Sequence, residues 1–489
     1  MRSLEIVVLA AAVLPFARLF RIEGFIGGFG RFAALLAAGI AGYLAIVAAV
    51  AVWLPAALHV LAALALAGMA AGYWFSRPGY GSSRGLPPGS LSLLASLEAI
   101  FDHRFHLKQA SRHGPVFKML QFHKPVVCVV GLERGHELIR LPDDVLSPAP
   151  QPFSAEIPGG FLRYMTPEMH GAYAPKLRAA FSWTVVAAAE PAIRQAIRVE
   201  LQSMAGDSRL DTGVRPAPYL QRAMFVSFAR LVFGFAPGSE DLERFRSTWS
   251  ALETQNLALS LAPTTRTALA DLRTLALQQI ERLDRDAGPE CVLGEWLRSV
   301  PGTPDRTVLD NLMFLFTIGV ENVSSLLRWV LKMLADHPRL GERVRAEGAP
   351  LAERIVMETL RLEQSEYIYR LVRSPLAIGD YQIPAGWRFR LCVRESHRDP
   401  TLFENPEAFD PDRFLQQRST HAAYSPFGAG RHACLAPHAS HVAARMLVEE
   451  LAEGYDWKIT ADGPRQRLPR HWHHWEPSSR FAVALSPRR

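Results

Sequence analysis

Cysteine is scarce in this 489-residue chain: there are four, Cys128, Cys291, Cys392 and Cys434, and no two are spaced as CxxC. Four scattered thiols exclude a disulfide framework and a structural zinc site, so most of them read as inert buried side chains. Fixed charge is missing from one long region. From Phe32 to Trp74 there is no Asp, Glu, Lys or Arg, and only His59 can ionise. Basic clusters are missing as well, with no run of five Lys or Arg. Of the net charge of +7, residues 1–85 account for +4, from Arg2, Arg18, Arg21, Arg31, Arg77 and Arg84 against Glu5 and Glu23. The excess therefore flanks apolar segments, which argues for topology and against nucleic acid. With 49% hydrophobic and 21% charged residues, the chain is not disordered.

A helix needs about 20 apolar residues to cross a bilayer, so the charge-free region is long enough for two passes. Pro55 lies near its middle and ends one helix. The expected spans are 32–53 and 56–75, making residues 1–75 a membrane anchor. Residues 4–17 form a third span, an interfacial helix or a signal-like segment. Arg18, Arg21 and Arg31 precede the hairpin and Arg77 and Arg84 follow it. Both ends, and everything downstream, are then expected to face the cytoplasm. Residues 76–92 have the Gly/Pro/Ser composition of a linker, and a catalytic region is expected over 93–489.

Near the C-terminus, Pro426-Phe427-Gly428-Ala429-Gly430-Arg431-His432-Ala433-Cys434 reads as a tight glycine loop. Beyond it, Ala439, Val442, Ala443, Met446, Leu447 and Leu451 recur at helical spacing, with Pro437 suited to the first turn. A cysteine just before a helix start is expected to favour its thiolate. Upstream, residues 352–362 predict a helix on which Glu358 and Arg361 share a face. Residues 311–334 predict a long buried helix interrupted by Gly319, Glu321 and Asn322; an unpaired acid there would be costly, and the glycine gap should accommodate something. Residues 378–386 predict a hairpin with a Pro/Gly turn.

The cysteine loop resembles that of the cytochromes P-450, Phe-x-x-Gly-x-Arg/His-x-Cys-x-Gly, at Phe427, Gly430, His432 and Cys434, with Ala436 replacing the last glycine. Three further stretches resemble the family in order. Glu358 and Arg361 match its Glu-x-x-Arg pair. Phe409–Phe414 resembles its meander, with Arg413 in place. Ile318-Gly319-Val320-Glu321-Asn322 resembles its Ala/Gly-Gly-x-Asp/Glu-Thr motif, with asparagine for threonine. His397-Arg398-Asp399-Pro400 also stands where the family has that sequence.

The resemblance implies a mainly α-helical fold with a smaller β part (α+β), here preceded by the transmembrane hairpin. It implies haem b bound through the Cys434 thiolate, with His170, Arg370 and His432 on the propionates and Phe427 and Gly430 shaping the loop. Arg373 is the rival of Arg370. After His170 the family's usual arginine position holds Ala174, which leaves Arg178, one turn later, as its replacement. Glu321 and Asn322 would manage protons, and Glu358, Arg361 and Arg413 would form a scaffold network.

Two substitutions touch the substrate pocket. Gln364-Ser365-Glu366-Tyr367 replaces the usual Pro-Pro, which predicts a more polar lining. Phe153, Ile157, Phe161 and Leu162 lie either over the pocket or in the core. His471-Trp472-His473-His474-Trp475 reads as an aromatic hairpin near the substrate entrance or membrane surface, since adjacent strand histidines point apart and rarely chelate. The implied reaction is monooxygenation of a lipophilic small molecule with O2 and electrons from a separate reductase or ferredoxin, docked with help from Arg431 and Arg445. The alternatives are a haem-thiolate isomerase, dehydratase or peroxide-rearranging enzyme, and a non-catalytic haem sensor.

Overall fold

The computed structural model describes residues 64–65 and 85–488, apart from 122–123, 149–160, 210, 254–262, 284–289, 303, 364–366, 417–422 and 467–474. The expected spans 32–53 and 56–75, and residues 4–17, fall outside the described residues except for 64–65.

The C-terminal end of the Gly/Pro/Ser-rich segment feeds straight into a sheet. Strand β1 (Gly89–Ser90) pairs in parallel with β2 (Val116–Gln121). Gly89 is required there: its φ is +117, and a Cβ would run into the Lys118 backbone. Helices α1 (Leu93–Phe101) and α2 (Phe105–His113) follow, and both lie against β2. Strand β3 (Lys124–Val129) returns antiparallel to β2, and α3 (Leu132–Ile139) leads to the short β4 (Leu146–Ser147). The sheet is completed by β5 (Ile368–Val372) and β8 (Arg388–Leu391), in the order β1-β2-β3-β8-β5-β4.

The larger part is helical. Thr166 caps α4 (Pro167–Ala180), which has proline in its first turn, and Ser182 caps α5 (Trp183–Asp207). Helix α6 (Ala217–Phe233) ends on the left-handed Gly234. Then come α7 (Glu240–Glu253), α8 (Pro263–Ile280), α9 (Val292–Ser299) and the long α10 (Arg306–Asp336), capped by the Asp305 carboxylate on the Val308 N–H at 2.9 Å. Pro338 follows its end, and α11 (Arg339–Glu347) and α12 (Ala349–Glu363) complete this run. Helix α10 packs against α6, α12 and the C-terminal α15 (Pro437–Gly454) in one large core. Among the described residues α10 is the one helix long and apolar enough to cross a membrane, and most of its apolar window is buried inside the protein.

Strands β6 (Leu376–Ile378) and β7 (Tyr381–Ile383) form the predicted hairpin, but its turn differs. Gly379-Asp380 closes it, with Gly379 at φ +58, while Pro384–Gly386 leads out of the hairpin into β8. A two-residue turn needs positive φ at its first position, which glycine supplies and proline cannot. The short α13 (Val393–Ser396) and α14 (Arg413–Gln416) carry the chain toward the cysteine loop, and a C-terminal ribbon, β9 (Tyr455–Ala461) with β10 (Ala482–Pro487), follows α15. Residues 471–474 lie outside the described residues. Their flanks, Gln466 and Glu476, form an antiparallel bridge, and Trp475 is buried, its carbonyl accepting from the Trp329 indole at 2.9 Å. Trp475 therefore serves the core and not a membrane surface.

Candidate functional site

The cysteine loop is built by two left-handed glycines, Gly428 (φ +74) and Gly430 (φ +71), followed by a 3-10 turn over Gly430–His432. The Cys434 N–H donates to the Phe427 carbonyl at 2.9 Å, which closes the loop, and α15 starts three residues later with Pro437. A Cβ on Gly430 would meet nothing, so the backbone there is open to a flat group. Phe427 packs beside His441, ring centres 5.3 Å apart. Cys434 is surface-accessible, unlike the other three cysteines, yet burial among protein groups pushes its thiol up, against the opposing Ala436 N–H and Arg178. The helix start alone thus does not make a thiolate; desolvation outweighs it.

His432, two residues before Cys434, belongs to a cluster of bases. The His170 and His432 rings stand 4.4 Å apart. Both His432 ring nitrogens are buried without a hydrogen-bond partner, and burial, with Arg370 and His170 next to it, depresses its pKa to about 3. Arg370 on β5 is buried as well, donating only to the Tyr369 carbonyl; burial first, and then Arg163, lowers its pKa to about 10. Its rival Arg373 turns away to Ser147 Oγ. Arg178 reaches the Arg431 carbonyl at 3.4 Å, while Ala174 faces the core. Arg431 is bound to Asp143, and half-buried Arg445 pairs with Glu449 at 2.6 Å. Neither is a free cation for docking.

A second cluster holds the loop in place. Glu358 and Arg361, both fully buried, pair through two hydrogen bonds of 2.7 and 2.8 Å. Arg413 joins Glu358 at 3.0 Å, as does the Asp410 N–H. Arg361 also donates to the carbonyls of His397, Pro406 and Ala408, and Arg413 to that of Glu404. The meander is therefore fastened by its own backbone. His397 then accepts from the Ser425 N–H at 2.9 Å, two residues before Phe427.

Helix α10 carries the remaining expected site residues. Phe314, Ile318, Glu321 and Asn322 are half-buried in a helix otherwise largely enclosed, and their spacing puts them on one face. Neither acidic nor amide side chain is isolated: Glu321 and Asn322 both have interactions in the fold, so the unpaired acid expected here does not occur. The Gly319 gap is used by the Phe228 ring of α6, whose Cδ1 would lie 2.7 Å from a Cβ. Phe161 stacks on Phe314 with ring centres 3.9 Å apart, and the buried Leu162 N–H donates to Asn311 Oδ1. Phe153 and Ile157 lie outside the described residues, as do 364–366.

Sequence reasoning missed three groups here. Arg163, a lone arginine in a 3-10 turn, acts electrostatically on Arg370 and His432 and has no local signal. His397 was noted within a motif without a role. Phe228 carries no pattern that distinguishes it from other core aromatics.

These groups fit the haem b that the resemblance implies. Two imidazole nitrogens without a partner among the described residues and a buried guanidinium suit carboxylates, the bare Gly430 backbone suits a flat ring, and an accessible sulfur follows four residues after Gly430.

Comparison with known proteins agrees. The family pattern for cytochrome P450 matches residues 300–472. The chain is similar to abscisic acid 8'-hydroxylase 3 of Oryza sativa subsp. indica, 29% identical over 177 residues, 32% of this chain and 35% of that protein. It is also similar to abscisic acid 8'-hydroxylase 2 of the same subspecies, 24% identical over 417 residues, 76% of this chain and 81% of that one. Thus the chain spans about a third of the first of these relatives and most of the second. Retinoic acid-bound cyanobacterial CYP120A1 shares the fold, with a TM-score of 0.67 and 21% identity over 82% of this chain and 99% of that one. The fold is that of the cytochrome P450 structures, and residues 300–472 match the cytochrome P450 family, whose members imply a cysteine-ligated haem b.

Proposed function

We propose that the protein is a membrane-anchored haem-thiolate monooxygenase acting on a lipophilic small molecule. The observation that carries this is the cluster of His432, whose ring nitrogens have no partner among the described residues, His170 and buried Arg370, with the accessible Cys434 two residues after His432. In this reading Cys434 Sγ would bind the haem iron, and His170, Arg370 and His432 would hold the propionates. Phe427 and Gly430 shape the loop, and Glu358, Arg361 and Arg413 keep it in position.

When bound, the haem supplies the redox centre that activates O2 with electrons from a separate reductase or ferredoxin. The chain's own task is protons and exclusion of water. Glu321 holds a proton on its carboxylate at the half-buried face of α10, and Asn322 Nδ2 orients its delivery. Phe161 and Phe314 close the cleft with an aromatic stack. Residues 1–75 anchor the catalytic region 93–489 on the cytoplasmic side, with 76–92 between them.

The test is the spectrum of the reduced, CO-bound full chain together with NADPH and O2 consumption on a surrogate reductase. A long-wavelength Soret band, lost in Cys434→Ser, and substrate-dependent consumption are expected. Turnover without reductant would instead favour an isomerase, dehydratase or peroxide-rearranging enzyme, and spectral binding without turnover a sensor. Deleting residues 1–75 should release the protein from membranes with its spectrum intact.

A further inference from the structure

A buried amide on α10 serves a backbone group that lies 149 residues earlier in the chain. Asn311 is fully buried. Its Nδ2 donates to the Thr307 carbonyl one turn back at 2.8 Å, which orients the amide, and its Oδ1 accepts from the Leu162 N–H at 2.6 Å. Leu162 opens the 3-10 turn Leu162–Tyr164, which the Tyr164 N–H closes on the Phe161 carbonyl at 2.7 Å. The first N–H groups of such a turn have no partner within it, and a side-chain oxygen on the preceding residue is the usual remedy. Phe161 holds that position and has no oxygen to offer. Asn311 therefore caps the turn from another element. The Phe161 ring is left to stack on Phe314, with centres 3.9 Å and planes 18° apart. Asparagine is a poor residue for a helix interior and costly to bury, and these hydrogen bonds offset its presence.

Asn311 and Phe314 are three residues apart, and Ile318, Glu321 and Asn322 continue the same face of α10. In the proposed function this is the face that handles protons. The turn reaches the basic cluster as well, because Arg163, the residue after Leu162, acts electrostatically on Arg370 and His432. We infer that Asn311 is a positioning residue: by holding the Leu162 N–H it fixes the Phe161 ring against Phe314 and sets how bulky a ligand the Phe314–Asn322 face admits. A merely structural amide would change the melting temperature without discriminating between ligands of different size. The inference rests on the haem-thiolate reading, since the ligands that test it bind haem iron; the tether itself does not.

The probes are imidazole and the bulkier 4-phenylimidazole, titrated by absorbance into the ferric, haem-loaded full chain in lipid nanodiscs. In Asn311→Ala the Kd of 4-phenylimidazole relative to that of imidazole should fall at least about fivefold, the size of a coupled contact pair, with imidazole itself little changed. Phe161→Ala should give a similar fall, and the double variant no more than Phe161→Ala alone, because Asn311 acts through that ring. Asn311→Asp keeps the oxygen acceptor and should recover most of the wild-type ratio. An unchanged ratio in Asn311→Ala, additivity with Phe161→Ala, or an equal change for both azoles would each overturn the inference. A second readout needs no haem: hydrogen exchange at the Leu162 amide should speed up in Asn311→Ala and slow again in Asn311→Asp. If Asn311→Ala fails to fold, Leu162→Pro removes the donor instead, and proline suits the first position of the turn after the extended Phe161 (ψ 146°). It should reproduce the fall in the ratio, and an unchanged ratio there overturns the inference. A wild-type spectrum that neither azole moves would sink the haem reading alone. Leu162 exchange then decides the tether, which faster exchange in Asn311→Ala upholds and unchanged exchange overturns.

Discussion

Glu358 has two cationic partners and no exposure, so its charge is the counter-ion for both Arg361 and Arg413. Removing it leaves two guanidiniums buried without compensation. Glu358→Ala should therefore destabilise the protein by about 3–5 kcal/mol, read by denaturant unfolding and by faster haem loss. Glu358→Gln, which keeps shape and loses charge, should fall between. The proton-handling residues differ, because their effects are kinetic. Glu321→Gln should lower kcat by about 10²-fold with little change in melting temperature, and the loss should be smaller at low pH, where solvent supplies the proton. A loss of stability equal to that of Glu358→Ala would mark Glu321 as structural instead.

At the scale of elements, the approach of α10 to α6 is set by a missing side chain. A Cβ at residue 319 would meet the Phe228 ring, which lies in the core with little exposure. Alanine is the better helix former by about 1 kcal/mol, yet Gly319→Ala should lower stability by about 1–3 kcal/mol through overpacking. A smaller partner, Phe228→Leu, should relieve part of that, and a double-mutant cycle measured by thermal unfolding checks the coupling. The glycine was legible as a gap in a buried helix; the ring that fills it was not, since α6 lies about 90 residues upstream and its apolar face looks like any other. The hairpin at 376–383 shows the same limit in miniature. Gly379 and Gly386 both have positive φ, and only the pairing register tells which of them closes the turn.

Over the whole molecule, the helical core, the sheet and the meander meet at His397. Its carbonyl accepts from Arg361 and its ring accepts from the Ser425 N–H. Burial, then the nearby Arg361 and Arg398, depress its pKa from 6.5 to about 3. Since the folded-state value lies below the unfolded one, the unfolded chain binds more protons, and stability should fall as pH drops from 6.5 towards 3. Melting temperatures across that window should decline less steeply in His397→Gln, whose amide oxygen still accepts from Ser425. An unchanged slope would remove His397 from the acid sensitivity. His103, depressed to about 4 chiefly by burial, pulls in the same direction.

By itself the sequence determined the composition-level class, the cysteine loop before a proline-started helix, the Glu358–Arg361 pair at helical spacing, and the long apolar helix with its polar break. Each is a short-range pattern, and short-range patterns survive in one dimension. Only the tertiary structure decided which arginine, 370 or 373, turns toward His432, that Arg163 acts on that cluster, and that Arg431 and Arg445 are already paired. It also decided that burial of Cys434 outweighs the helix start. The reason is common to all four: strand direction, charge neighbours and desolvation depend on what folds against a residue, and that partner is distant in the chain.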